Sequence, residues 1–195
     1  KNGAGKSTMI KSILGLIKPT SGSVKVFGKD VESLTQSDKC DIGVALAESG
    51  FSMYLSAKDI AGILGKMYPR FKEEFFFDKC KQLGLPTGKQ IKDYSTGMKA
   101  KLRVLVAISH EARLLILDEP TTGLDPQTRK LLWEVVSDLR KKENMTVFLT
   151  THYMEEAADA DYVIILDSGK IAAEGTPLAL KNRYTGDFIT IYGLT

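Results

Sequence analysis

Apolar positions recur along the 195-residue chain with two different periods. Over residues 6–17 (KSTMIKSILGLI), Met9, Ile10, Ile13, Leu14 and Ile17 fall at helical spacing, and Pro19 and Gly22 end the pattern. Residues 23–27 alternate polar and apolar side chains up to Gly28 and predict a short strand, while residues 42–47 (IGVALA) form an apolar run of strand length. Residues 113–118 (RLLILD) and 145–150 (MTVFLT) are the short continuous apolar runs of a parallel sheet buried on both faces. Between them, Leu131, Leu132, Val135, Val136 and Leu139 line one stripe of a helix over residues 129–142, which Asp125 can cap and Pro126 can start. Residues 162–167, a Ser168-Gly169 turn and residues 170–173 predict a closing hairpin.

Strand signals vanish between residues 51 and 111, where glycines, aromatics and amphipathic stretches predict a mainly helical insertion. Phe71, Phe75, Phe76 and Phe77 sit beside Lys72, Glu73 and Glu74; their helical spacing favours packing of one helix on its neighbours over a stacking surface for a ligand or nucleic acid. The alternation of strand and helix elsewhere predicts an α/β fold with a mostly parallel sheet. The whole chain, 1–195, is expected to be one domain, with residues 51–111 as the helical part and residues 1–50 and 112–195 as the α/β core.

Composition narrows the classes. With 43% hydrophobic and 26% charged residues, the chain is too apolar and too evenly charged to be disordered. A net charge of +3 with interspersed signs leaves little footprint for nucleic acid. The longest apolar runs, 104–108, 114–117 and 163–166, fall far short of the ~18 to 20 residues that cross a bilayer, so any membrane role needs a partner. Cys40 and Cys80 are in no metal-ligand spacing and suit a reducing cytoplasm.

Two constellations carry chemistry. The opening KNGAGKST fits a P-loop, in which glycines let backbone N–H groups turn inward around phosphate, a lysine reaches the β and γ phosphates, and a hydroxyl holds Mg²⁺. Gly3, Gly5, Lys6 and Ser7 fit those roles, and the helix that follows adds its positive end to the same anion site. The second is Asp118-Glu119 at the end of an apolar strand, which can supply one carboxylate for Mg²⁺ and another as base for an attacking water. An exposed strand end before a turn at Pro120 is the lesser alternative on the local sequence alone, and the P-loop weakens it further.

Taken together, KNGAGKST, residues 94–98 (YSTGM), residues 114–126 (LLILDEPTTGLDP) and His152 after LTT closely resemble, in the same order, the nucleotide-binding domain of ATP-binding cassette (ABC) transporters. That resemblance implies a P-loop NTPase core with a helical insertion. It implies that Asn2, Gly3, Ala4, Gly5, Lys6, Ser7 and Thr8 hold the phosphates of ATP, that Ser7 and Asp118 serve Mg²⁺, and that Glu119 polarises the hydrolytic water. His152 would be the switch histidine at the γ phosphate, and Asp125 would lie on the loop that crosses a dimer interface. Ser95, Thr96, Gly97 and Met98 would face the nucleotide held by the opposite subunit; read without the family, Ser95-Thr96 is simply an N-cap. Lys99, Lys101 and Arg103 just beyond read as a solvated basic face, with a contribution to the phosphate field as the alternative.

The chain departs from the family pattern at three places. The usual LSGGQ signature is replaced by Tyr94, Ser95, Thr96, Gly97 and Met98, which keeps the serine and second glycine but adds a Cβ near the phosphates. Glu48 stands where the family has the glutamine of the Q-loop, as in bacterial exporters of peptide antibiotics, lantibiotics and bacitracin-like compounds; it is expected to bind Mg²⁺, with an exposed loop glutamate as the alternative. The chain also begins inside the phosphate loop, and is expected to lack the strand and adenine-stacking aromatic that precede it in the family and, as it stands, to bind ATP poorly.

The resemblance implies the ATPase subunit of a membrane exporter, held at the cytoplasmic face of the membrane by a permease partner and paired with a second nucleotide-binding domain. Phe51 and Tyr54 are suitable anchors for the permease. A non-transport ABC ATPase acting on ribosomes or DNA is the competing class, and a cassette that binds ATP without hydrolysing it is a third; Glu119 and His152 together speak against the latter.

Overall fold

A computed structural model describes residues 4–47 and 51–184. The chain divides into two compact units, residues 1–9 with 151–195, and residues 10–150.

Helix α1 (Lys6–Ile13) opens the chain and stops four residues earlier than the apolar pattern predicts. Gly15 is left-handed at φ 67°, Leu16 N–H reaches back to the Lys11 carbonyl and Gly15 N–H to the Ser12 carbonyl, so a Schellman cap ends the helix before Ile17. The strand expected at residues 23–27 shrinks to β1 (Lys25–Val26), paired antiparallel with β2 (Lys29–Asp30). Phe27 and Gly28 both take positive φ between them, the geometry of a tight hairpin turn. A short helix, α2 (Gln36–Cys40), then carries a capping box between Thr35 and Asp38.

The sheet of the larger unit is parallel, in the order β3 (Ile42–Ala45), β4 (Leu114–Asp118), β5 (Thr146–Thr150). Ile42 faces Leu114, and Leu114 faces Thr146, so Asp118 and Thr150 end side by side. Alternate residues of β4 point to opposite faces. Leu115 and Leu117 enter a large apolar cluster, and Ile116 enters a smaller one with Ile10, Val26, Val31, Leu34 and Ile42. The sheet is thus covered on both faces, as its apolar runs require. β5 is less buried than its sequence predicts, with residues 147–149 half-exposed, because it is the edge of the three-stranded order.

Between β3 and β4 lie α3 (Ala57–Met67), α4 (Glu73–Gln82) and α5 (Thr96–Ile108). Ser56 and Asp59 form a capping box that starts α3. The phenylalanines pack as core: Phe76 is fully buried, with Phe71 at 5.7 Å and Phe77 edge-on at 5.5 Å between ring centroids. α5 lies hard against β3, since a Cβ on Gly43 would stand 2.1 Å from the Ala107 carbonyl oxygen. α6 (Pro126–Glu143) joins β4 to β5, with Asp125 as its N-cap and Pro126 in its first turn.

In the smaller unit, α7 (Met154–Ala158) precedes the antiparallel hairpin of β6 (Val163–Asp167) and β7 (Lys170–Gly175), turned by Ser168 and Gly169 at φ 50° and 76°. The last described element is α8 (Pro177–Tyr184).

Candidate functional site

The first group of site residues stands at the start of α1. The first hydrogen bond there runs from Met9 N–H to the Gly5 carbonyl at 2.9 Å, so the positive end of the helix falls on residues 5–8. Gly5 takes φ 98°, open to glycine and closed to most side chains, which permits the turn from Ala4 into the helix. The Ala4 carbonyl accepts from Gly169 N–H at 3.2 Å, tying this turn to the hairpin of the same unit. Lys6 points at His152: Nζ lies 3.2 Å from Nε2 and 3.4 Å from Nδ1 of the ring. Two residues far apart in sequence therefore present their nitrogens at one place, while the Ser7 and Thr8 side chains are exposed. Asn2, Gly3 and Glu48 lie outside the described residues.

The second group stands at the end of β4. Asp118 accepts a 2.6 Å hydrogen bond from the Thr150 hydroxyl. Thr150 is buried, and its carbonyl accepts from Glu119 N–H at 3.0 Å. Glu119 adopts φ 48°, a left-handed conformation that costs a non-glycine residue on the order of 1 kcal/mol. This left-handed residue takes the chain off the strand directly after Asp118. Thr150 is the residue that sequence reasoning missed. Its signal was a polar side chain closing an apolar strand at the same level as Asp118 on the next one.

The third group surrounds a cleft of about 440 Å³ lined by Ser95, Thr96, Gly97, Met98, Lys101, Gly123, Leu124, Asp125 and Thr128. Two helix starts meet there. Ser95 caps α5 by accepting from Met98 N–H at 3.2 Å, and Asp125 caps α6 by accepting from Thr128 N–H at 2.9 Å. Hydrogen bonds from Thr128, its side chain first and its backbone next, hold the Asp125 carboxyl below the usual carboxylate range. Gly97 is pressed close to Leu124: a Cβ there would sit 3.3 Å from Leu124 Cδ2. Ser95 is thus an N-cap that also lines the cleft.

Lys99, Lys101 and Arg103 do not form the solvated basic face that the sequence suggests. None is fully exposed; Lys101 Nζ donates to the Leu83 carbonyl at 3.0 Å and Arg103 Nη1 to the Ala47 carbonyl at 2.7 Å. The side chains of Lys101 and Arg103 thus end on backbone acceptors rather than in water.

The sequence profile of the family described as "ABC transporter" matches residues 1–122, more than half of the chain. The chain belongs to that family. A second profile, described as "AAA domain, putative AbiEii toxin, Type IV TA system", matches residues 88–157. The ABC chain is 36% identical over 186 residues to the bacitracin transport ATP-binding protein BcrA of Bacillus licheniformis, covering 94% of this chain and 61% of that one. It is 35% identical over 199 residues to the Nod factor export ATP-binding protein I of Neorhizobium galegae, with 98% and 57% covered. It is also 32% identical over 197 residues to the human retinal-specific phospholipid-transporting ATPase ABCA4, of which it spans only 9%. This ABC chain therefore spans about three-fifths of these two bacterial relatives and under a tenth of ABCA4.

Among solved structures, an ATP-binding subunit of an ABC transporter matches with a TM-score of 0.83 at 26% identity, covering 94% of this chain and 79% of that one. A dimeric ATP-binding cassette in a post-hydrolysis state, bound to ADP and Pi, matches in fold with a TM-score of 0.78 at 20% identity, covering 91% and 82%. The fold of the ABC chain is that of an α/β P-loop NTPase. No helix among its described residues is long and apolar enough to cross a membrane.

Proposed function

We propose that this chain is the ATP-binding and ATP-hydrolysing cassette of an ABC membrane transporter, of the kind that exports a peptide, an antibiotic or another hydrophobic compound. The observation that carries the reading is the approach of Lys6 Nζ to the His152 ring at 3.2 Å. The P-loop lysine and a histidine 146 residues further along the chain converge beside a helix N-terminus, where a terminal phosphate would be met by both.

In this reading residues 2–8 cradle the phosphates, and Lys6 and His152 stabilise charge on the transferring phosphoryl group. Glu119 accepts the proton of the attacking water. Ser95, Thr96, Gly97, Met98 and Asp125 face the nucleotide of a second cassette. Ser7, Asp118 and Glu48 are the oxygen donors for Mg²⁺. The donor chemistry fits: a hydroxyl and carboxylates are the hard oxygen ligands that Mg²⁺ takes. Mg²⁺ on these donors would supply neutralisation of charge on the phosphates. The Thr150 hydroxyl fixes one oxygen of Asp118 and so orients the carboxylate.

Export is supported by the names of the Bacillus and Neorhizobium relatives, one of bacitracin transport and one of Nod factor export. The partners are a membrane-spanning permease and a second nucleotide-binding domain, and the place is the cytoplasmic face of the membrane. The helical segment 51–111 would be the subdomain that meets the permease. The deciding experiment replaces Glu119→Gln in the full-length protein: turnover of ATP is lost, while ATP-induced dimerisation, followed by light scattering, persists. Hydrolysis at the wild-type rate in that variant overturns the assignment of the base.

A further inference from the structure

Arg103 lies on α5 between the buried Leu102 and Val104, eight residues beyond the Ser95 N-cap, about 12 Å along the helix axis. It is half-buried, and its Nη1 donates to the carbonyl of Ala47 at 2.7 Å. No acidic side chain pairs with it among the described residues, and burial alone pushes its pKa below the ordinary arginine value. Keeping a guanidinium partly desolvated without a carboxylate is costly, and a Leu or Met would fill the same space without that cost.

The placement of this side chain explains what it does. Gly43 of β3 stands against the Ala107 carbonyl of α5, and Ala47, two residues past the end of the strand, meets Arg103. The two contacts are four residues apart on each segment, in opposite chain directions. The Arg103 side chain, which on a helix leans toward the N-terminus and hence toward the Ser95 end, bridges the two segments at Ala47.

We propose that Arg103 is a positioning residue: by holding the Ala47 carbonyl it fastens the chain that leaves β3, immediately before Glu48, to the helix that carries Ser95 at its cap. Its consequence for hydrolysis rests on the function proposed above. The bond keeps the entry to residue 48 and the Ser95 end of α5 in one register, so that a shift of either is felt by the other.

The test uses Arg103→Met, which keeps length and apolar contact but removes every donor, and Arg103→Lys, which keeps a donor, in the full-length protein. In R103M, amide exchange over residues 42–47 speeds up about tenfold, and kcat for ATP falls several-fold while KM for ATP stays near the wild-type value. R103K restores most of both. Unchanged exchange overturns the fastening. Faster exchange with an unaltered kcat overturns the positioning role, as does a loss of activity fully accounted for by a lower folded fraction. Absence of hydrolysis in the wild-type protein refutes the proposed function instead, and the exchange comparison still decides the fastening.

Discussion

Replacing Thr150→Val removes one hydroxyl from the end of β5 and leaves the shape almost unchanged. In the structure that hydroxyl donates to Asp118 at 2.6 Å and lies 3.3 Å from Glu119 N–H. Thr150 is only 5% exposed, so water cannot freely take the place of the lost donor. A hydrogen bond to a charged acceptor contributes about 1.5–3 kcal/mol, and partial exposure of Asp118 puts this one near the lower end. The Glu119 N–H retains its 3.0 Å bond to the Thr150 carbonyl, so the strained backbone at Glu119 is not released outright. A loss of about 1.5–2 kcal/mol in a domain of this size lowers Tm by roughly 3–8 °C. Thr150→Ser keeps the hydroxyl and gives up a methyl group, about 1 kcal/mol. Thermal and urea unfolding of both variants measure the difference. T150V as stable as wild type, or less damaged than T150S, refutes the view that the hydroxyl rather than the methyl secures this corner.

Two further outcomes follow from packing and burial. Gly43→Ala forces a Cβ to within 2.1 Å of the Ala107 carbonyl oxygen, a backbone atom of a packed helix, and destabilises by about 3 kcal/mol; Gly62→Ala, with open space around it in α3, stabilises by about 0.5–1 kcal/mol, and denaturant midpoints compare the two. His110 is 3% exposed and stacks on Tyr68 at 4.2 Å. Burial holds its pKa below the ordinary 6.5, against opposing hydrogen bonds to the Ile42 and Val106 carbonyls, with Arg70 and Asp41 as the charges that also act on it. The unfolded chain therefore takes up the proton first, so stability falls as pH drops through about 6.5; His110→Gln flattens that slope between about pH 7 and 5 in unfolding curves.

The parts of the fold that could be read from sequence are those where one local rule dominates. Apolar runs located β3, β4 and β5, and the Asp125-Pro126 pair located the start of α6, because burial on two faces and helix capping leave clear patterns. The end of α1 was misread because Leu16 and Ile17 continue the apolar period beyond the point where Gly15 turns left-handed; there the backbone conformation of one residue outweighs periodicity. Lys101 and Arg103 were misread for a different reason. Their charge suggests solvent, whereas the acceptors they reach, at Leu83 and Ala47, are distant in sequence and carry no side-chain signature. The same limit hid Thr150, whose importance depends on the parallel register that sets it beside Asp118.

That register also has a consequence for synthesis. β3 waits for a partner strand that begins roughly 70 residues later, whereas β4 and β5 are separated by roughly 30. Closing the longer loop costs only about 0.7 kcal/mol more in chain entropy. The greater burden is time, since at about 5–20 residues per second the apolar β3 leaves the ribosome several seconds before β4 exists to cover it. During that interval the earlier-made Ile10, Val26, Val31 and Leu34 can shield the face that carries Ile42, and the other face waits for α5, against which Gly43 is closely seated.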